Sequence, residues 1–253
     1  MPGGFGIGLS EAFGRVTTVV GFDTATADTA VALVRDGETI AEARRAPDRA
    51  DGRPLHATAL MPEVERAVGA AGGWEAIDLI GVGVGPGSFT GLRIGVTAAR
   101  ALALGLGKPL APVGTLATLA AAIAGSASEP WRMALAVLDA RRGEVFALLW
   151  DSTGAELWPA FVAAPEELAA RVADLPEPPL AAGDGSLRFR RELEDAGALV
   201  IADGDPVHRI SAPALCRLAA ASSPTAPERV KPIYLRRPDA EIWRDEQRRG
   251  GCR

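Results

Sequence analysis

The sequence is poor in the side chains that bind metal ions or form disulfide frameworks. Its 253 residues include two histidines, His56 and His208, and two cysteines, Cys216 and Cys252. The cysteines form no CxxC motif, which excludes a disulfide framework and predicts a reduced, cytoplasmic protein. The residue four positions after His56 is Leu60, so there is no HxxxH pair. Zinc and iron sites need clustered ligands, and we therefore expect no metal site.

Basic surfaces and long apolar runs are also lacking. The formal net charge is −5, whereas a protein that neutralises many RNA phosphates usually shows a basic stripe. This chain is therefore not expected to bind RNA alone. No segment reaches the ~18 apolar residues that suggest a membrane-spanning helix. Residues 1–15 lack the features of a signal peptide and are predicted to be a flexible leader, and residues 238–253 a charged tail.

Apolar residues make up 48% of the chain and follow an alternating pattern of strands and helices. Strands are predicted at 16–23, 29–35, 38–44, 79–84, 109–113, 133–139, 144–150, 180–182 and 199–201, and helices at 55–71, 90–106, 115–124, 165–172, 186–196 and 213–222. A hairpin followed by strand–helix alternation occurs twice. This predicts an α/β fold of two lobes, 16–117 and 118–237, each with a mixed sheet, the last helix packing back. The short echo of the first hairpin in the second could reflect duplication or chance.

The most distinctive motif is the glycine-rich segment 85–95, which joins a buried strand to a long helix. Glycine permits positive φ and a close approach of other groups, and Ser88 or Thr90 can cap the helix. Two interpretations remain open: a phosphate site at the helix N-terminus, or a tight turn that allows close packing. The segment is neither a Rossmann GxGxxG nor a Walker A motif, and Ser88 is not in a GxSxG elbow.

Small residues form a stripe on the helix that follows. Because such residues recur about one turn apart, they let another helix come close. That helix would be either the preceding one in the chain or one from another subunit. The candidate interface residues are Leu60, Val64, Gly91, Gly95, Ala98 and Leu102.

Acidic residues end one strand in each predicted lobe. In actin-like ATPases such hairpins hold phosphates and the water shell of Mg²⁺, although an aspartate at this place can equally bond its own turn amides. Arg141 and Arg142 add charge that an intact phosphate turn does not need, so the second hairpin looks degraded. The candidate phosphate-binding residues, interpreted as vestigial, are Asp23, Thr24, Ser88, Asp139 and Gly183.

Five motifs together resemble the TsaB (YeaZ) family, in the family's order and across about residues 18–240. They are Phe22-Asp23-Thr24-Ala25-Thr26, His56 with Pro62, the segment 85–95, the segment 138–145 and the segment 230–236. The glycine-rich segment is the most specific of them. The leader and the tail depart from the family pattern.

This resemblance implies a two-lobed, actin-like fold of ribonuclease-H type and a non-catalytic role. TsaB-like proteins pair with a catalytic paralogue, TsaD, which carries the HxxxH metal pair that this chain lacks. With a TsaE-type ATPase, TsaD forms threonylcarbamoyladenosine at position 37 of ANN-decoding tRNAs. The resemblance implies a homodimer when alone, only indirect contact with tRNA, and no cofactor, with a nucleotide at the subunit junction left open. The alternative is a nucleotide-binding ATPase or carbamoyltransferase that uses Asp23, Ser88 and Asp139.

Overall fold

A computed structural model of the chain describes residues 17–126 and 133–236. The predicted leader and charged tail lie outside the described residues. The described part is built from two five-stranded sheets and helices on both faces of each sheet.

The first sheet combines an antiparallel hairpin with parallel strands. Its strands are β1 (Thr18–Asp23), β2 (Thr29–Arg35), β3 (Glu38–Arg45), β4 (Leu79–Gly83) and β5 (Leu110–Val113). They are arranged in the order β3-β2-β1-β4-β5, with β1 antiparallel to β2 and parallel to β4. Every residue of β1 is buried, whereas β3 at the edge is largely exposed. A central strand covered on both faces is expected to be apolar, as β1 is from Val19 to Phe22.

The second sheet repeats this arrangement. Its strands are β6 (Met133–Arg141), β7 (Glu144–Asp151), β8 (Glu156–Ala163), β9 (Leu180–Ala182) and β10 (Leu199–Val200), in the order β10-β9-β6-β7-β8. Strand for strand, β6 takes the place of β1, β7 of β2 and β9 of β4. The predicted α/β fold of two lobes with duplicated mixed sheets is confirmed. Strand β8, which no predicted element covered, is the counterpart of β3.

The helices agree with the predicted ones except in the second lobe. They are α1 (His56–Ala71), α2 (Phe89–Leu106), α3 (Thr115–Ser126), α4 (Pro165–Ala173), α5 (Asp184–Arg188), α6 (Arg190–Asp195) and α7 (Ala212–Ala221). The single helix predicted over 186–196 is wrong. The chain forms two short helices there because Phe189, with φ of −114° and ψ of 35°, leaves the helical region.

Helices α3 and α7 each pack on the sheet that they do not follow in the chain. Helix α3 comes after β5 of the first sheet but packs on the second, and α7 comes after β10 of the second sheet but packs on the first. One face of the first sheet is covered by α1 and α2, and the other by α7 through Leu215, Cys216 and Ala219. The second sheet has α3 on one face and α4 and α6 on the other. Helices α3 and α7 also contact each other, so both lie between the sheets. The predicted boundary at residue 117 falls inside α3.

Helix α2 is the described helix whose length and hydropathy would also suit a membrane span. Its buried side chains, Leu92, Val96, Ala99 and Ala103, lie on the side that packs on the first lobe. Such a one-sided pattern is typical of the amphipathic helix of a globular protein.

Candidate functional site

A cleft of about 470 Å³ opens between the two lobes. Its walls come from the loop after β1, the N-terminus of α2, the turn between β6 and β7, and the segment 233–236. The lining residues are Ala25, Thr26, Ala27, Gly52, Pro54, Gly87, Ser88, Phe89, Leu138, Asp139, Ala140, Arg141, Arg142, Phe146, Asp184, Ile233, Tyr234, Leu235 and Arg236. Of the predicted phosphate-binding residues, the structure therefore brings Ser88 and Asp139 to the cleft, while Asp23, Thr24 and Gly183 lie behind its walls.

Asp23 is buried at the end of β1 rather than exposed in the cleft. Its Oδ1 accepts a hydrogen bond of 2.6 Å from the Ala25 amide, and its Oδ2 accepts one of 2.8 Å from the Thr115 hydroxyl. The carboxylate lies over Gly83 of the neighbouring strand, where any Cβ atom would overlap it. Burial raises the pKa of Asp23, and the two hydrogen bonds oppose that rise only in part. Asp23 thus bonds an amide of its own turn, which is the alternative to phosphate binding that the sequence left open for this aspartate.

Thr24 explains the small residues of α2. It is buried, and its hydroxyl donates a hydrogen bond of 2.7 Å to the Gly91 carbonyl. A Cβ atom on Gly91 would overlap the Thr24 carbonyl oxygen, and one on Gly95 would overlap the Thr24 hydroxyl. The prediction that a helix packs against these two glycines is wrong, because the turn after β1 occupies that space.

The other predicted interface residues divide into two groups. Leu60 and Val64 of α1 are buried in the core of the first lobe and present no surface in this chain. Ala98 and Leu102 of α2 are only partly buried and pack at the edge of the same core. Beside them runs the exposed side of α2, which includes Leu104, 61% exposed.

Ser88 begins α2 at the edge of the cleft. Its hydroxyl accepts a hydrogen bond of 3.3 Å from the Gly91 amide, and its own amide donates one of 2.7 Å to the Ala25 carbonyl. A serine cap of this kind contributes about 1 kcal/mol to helix stability. Ser88 therefore acts as the helix cap that the sequence predicts.

Asp139 occupies the place in the second lobe that Asp23 has in the first. Its Oδ2 accepts a hydrogen bond of 2.8 Å from Arg188 and lies 3.4 Å from the guanidinium of Arg141. Its amide donates a hydrogen bond of 2.9 Å to Asp184, whose pKa is raised mainly by burial. Both acidic residues that line the cleft are therefore already hydrogen-bonded.

The turn between β6 and β7 holds two arginines in an uncommon backbone conformation. Arg141 has φ of 65° and Arg142 φ of 52°, followed by Gly143 at 77°. Positive φ at a residue with a Cβ atom costs about 1–2 kcal/mol. In the hairpin between β2 and β3, Asp36 and Gly37 have similar angles, as tight hairpin turns require.

Both histidines are buried and lie outside the lining of the cleft. His56 is buried, its Nδ1 is 2.8 Å from the Thr29 hydroxyl, and burial lowers its pKa. His208 is bound to backbone groups, among them the Gly183 amide at 3.2 Å. Within residues 17–126 and 133–236, no three histidine, cysteine or acidic side chains come together as a metal site would need.

Residues 233–236, here called the strap, cross from one lobe to the other. No pattern in the sequence predicted this crossing. The Ile233 amide donates a hydrogen bond of 2.7 Å to Val84 in the first lobe. The ring of Tyr234 lies 5.1 Å from that of Phe89, and the Arg236 guanidinium donates a hydrogen bond of 2.9 Å to Ala140 in the second lobe. The motif 230–236 was recognised only by resemblance, since a segment without helix or strand gives no periodic signal.

Comparison with known proteins agrees with this architecture. The sequence model of TsaD, tRNA N6-adenosine threonylcarbamoyltransferase, matches residues 50–188. The tRNA threonylcarbamoyladenosine biosynthesis protein TsaB of Escherichia coli is 31% identical over 231 residues, covering 86% of this chain and 94% of the relative. The chain belongs to the TsaB family.

Two further relatives extend the comparison. The TsaB protein of Bacillus subtilis is 33% identical over 135 residues, which cover 53% of this chain and 55% of that protein. The solved structure of YeaZ from Pseudomonas aeruginosa superposes with a TM-score of 0.71 at 26% identity, covering 87% of this chain and 100% of that one. The TsaB assignment thus holds for sequence and for architecture.

Proposed function

We propose that this chain is a non-catalytic subunit in tRNA threonylcarbamoyladenosine biosynthesis and acts by binding TsaD. The TsaB relatives are named for that biosynthesis, and the match to the TsaD sequence model fits a chain descended from a common ancestor with its partner. The observation that carries the non-catalytic part is the state of the two strand-end aspartates.

Phosphoryl chemistry in a cleft of this kind needs carboxylates that reach a metal ion and its water shell. Asp23 is buried and bonded to Ala25 and Thr115, and Asp139 is bonded to Arg188. Neither is available to a cation without breaking these bonds. This disfavours the alternative of an ATPase or carbamoyltransferase that uses Asp23, Ser88 and Asp139.

The docking surface that we propose is the exposed side of α2. Leu104 is 61% exposed there, and the exposed Ala101 and Thr97 lie one and two turns before it on the same side of the helix. One exposed leucine in a strip of small side chains offers a flat surface to a partner helix. Ala98 and Leu102 border this strip and remain candidate contacts.

The remaining parts of the proposal concern the assembly. A TsaE-type ATPase joins the complex, the tRNA is contacted mainly by other subunits, and the chain alone forms a homodimer through the same side of α2. We place the protein in the cytoplasm, where tRNA modification occurs.

Co-expression of the full chain with TsaD from the same organism tests the proposal. A co-eluting complex that supports threonylcarbamoyladenosine formation is expected, and Leu104→Asp should disrupt it. Leu199→Asp is the matched control, because Leu199 is 59% exposed but lies on β10 of the second lobe. Failure of the wild-type chain to bind TsaD, or ATP hydrolysis by the isolated chain, would refute the proposed role. Equal loss of binding in both variants would refute the docking surface.

A further inference from the structure

The exposed side of α2 carries two arginines, and the helix contains no acidic residue. Arg93 and Arg100 are seven residues apart, about two helical turns, so they lie on the same side. Thr97 and Leu104 each follow one of them by one turn and share that side. Arg93 is exposed and Arg100 is half-buried. The strip that we propose as the docking surface therefore presents positive charge beside Leu104.

These two arginines have no acidic partner in this chain. Within residues 17–126 and 133–236, no carboxylate lies within ion-pair distance of Arg93 or Arg100. Helix α2 also contacts the turn 227–229, which exposes Arg229 and Glu228, and the exposed Lys231 follows. The surface around α2 is thus basic on balance, although the chain has a formal net charge of −5.

Arg93 is positioned by aromatic rings. Its guanidinium carbon lies 3.9 Å from the centre of the Phe89 ring, which in turn lies 5.1 Å from the ring of Tyr234. A cation over the face of a ring is attracted by the ring quadrupole. The ring contact uses no N–H donor, so the donors of the guanidinium remain for an acceptor on another molecule.

A basic surface is poorly suited to pair with itself. In a two-fold homodimer both copies use the same surface, so the basic side of α2 would face its own copy. Like charges that face each other across an interface destabilise it. A partner that presents carboxylates to Arg93 and Arg100 gains attraction instead. The charge of α2 therefore favours an acidic partner over a second copy of this chain.

From these observations we infer that the TsaD surface that docks on α2 is acidic opposite Arg93 and Arg100, and that this charge favours TsaD over self-association. The inference rests on the proposed function, because it names the chemistry of the docking surface proposed there. Charge pairs of this kind mainly raise the association rate and exclude wrong partners. Leu104 supplies the apolar contact.

Arg93→Gln combined with Arg100→Gln in the full chain tests the inference. Surface plasmon resonance at low and high salt measures association with TsaD, and sedimentation velocity measures self-association. The association rate with TsaD should fall roughly tenfold at low salt, and salt should slow the wild type more than the variant. Self-association of the variant should exceed that of the wild type, because the repulsion is removed. Thermal unfolding establishes that the fold is retained.

The matched control is Arg191→Gln with a side chain that is 91% exposed on α6 of the second lobe, and it should leave both associations near their wild-type values. An unchanged TsaD association rate in the double variant would overturn the inference, as would self-association no stronger than that of the wild type. The proposed function would survive either result if Leu104→Asp still prevents TsaD binding. Absence of TsaD binding by the wild type would overturn both.

RNA is the other polyanion that a basic surface could contact. The isolated chain is therefore also titrated with an unmodified ANN-decoding tRNA. If the wild type binds this tRNA, and the double variant loses that binding but keeps its TsaD association rate, the basic side of α2 serves RNA and the inference is wrong.

Discussion

The Thr115 hydroxyl, at the start of α3, donates a hydrogen bond of 2.8 Å to the Asp23 carboxylate at the end of β1. The same hydroxyl accepts a hydrogen bond of 3.2 Å from the Gly85 amide, which begins the glycine-rich segment. One threonine therefore connects the first hairpin, the glycine-rich turn and the helix that enters the second lobe. In this protein the acidic residue stabilises the fold at that junction.

Asp23→Asn should make stability less dependent on pH. Because burial raises the pKa of Asp23, the wild-type chain has its full stability below the unfolded pKa of 3.8 and loses part of it as pH rises through the folded pKa. Asparagine does not ionise and avoids this loss. Urea unfolding between about pH 4 and 8 measures how the free energy of unfolding of both proteins depends on pH. Asp23→Ala should instead lower the free energy of unfolding by about 2–4 kcal/mol, since it leaves the Ala25 amide and the Thr115 hydroxyl without their acceptor. Similar pH profiles for wild type and Asp23→Asn would contradict the prediction.

The glycines of α2 should respond to alanine according to what they face. Gly95→Ala should destabilise the protein by about 1–3 kcal/mol because its Cβ atom meets the Thr24 hydroxyl, and Thr24→Ala should reduce that effect. Gly91→Ala meets backbone and should not be rescued in this way. Gly105 has open space around it, so Gly105→Ala should stabilise by about 0.5–1 kcal/mol. Chemical denaturation of the single and double variants decides the point, and additive effects of Gly95→Ala and Thr24→Ala would count against it.

Cys216 should resist thiol reagents in the native protein. It is fully buried between α7 and the first sheet, and burial raises the pKa of its thiol. Only the thiolate reacts, so labelling requires the fold to open. In a Cys252→Ser background, labelling should be complete in denaturant and very slow without it. Rapid labelling of the native chain would show that α7 leaves the sheet more readily than its packing indicates.

Tyr234→Ala should loosen the strap. The variant loses the ring contact with Phe89, and an aromatic pair of this kind contributes about 0.5–1.5 kcal/mol. Tyr234→Phe keeps the ring and serves as the control. The free energy of unfolding should fall for the alanine variant and change little for phenylalanine. Equal losses in both would assign the effect to the hydroxyl group instead.

The sequence predicted the order and type of most elements because their apolar periodicity is strong. It missed β8, whose Pro159 interrupts an alternation that is weak at a sheet edge. If the second lobe had been recognised as a repeat of the first, a strand would have been expected at the position of β8, the counterpart of β3. The single helix expected over 186–196 failed because one non-helical residue, Phe189, carries no signal of its own.

The candidate site was harder to predict, because the pattern of residue types along the chain does not show which group a given side chain contacts. Asp23 was correctly located at the end of β1, whereas β6 continues two residues beyond Asp139. The bonds of these aspartates to Thr115 and Arg188 join residues distant in sequence. One signal was available. Gly83 is a glycine inside a strand pattern, which often marks the close approach of another group, and here that group is the Asp23 carboxylate.

The exchange of α3 and α7 between the lobes has a consequence for how the chain is made. As the polypeptide leaves the ribosome, one face of the first sheet stays bare until Ala212–Ala221 has been synthesised. Neither half can complete its core alone, so a gene split between the lobes should yield fragments that fold only when mixed. The two lobes repeat one shape, but the exchanged helices should make them fold as a single cooperative unit.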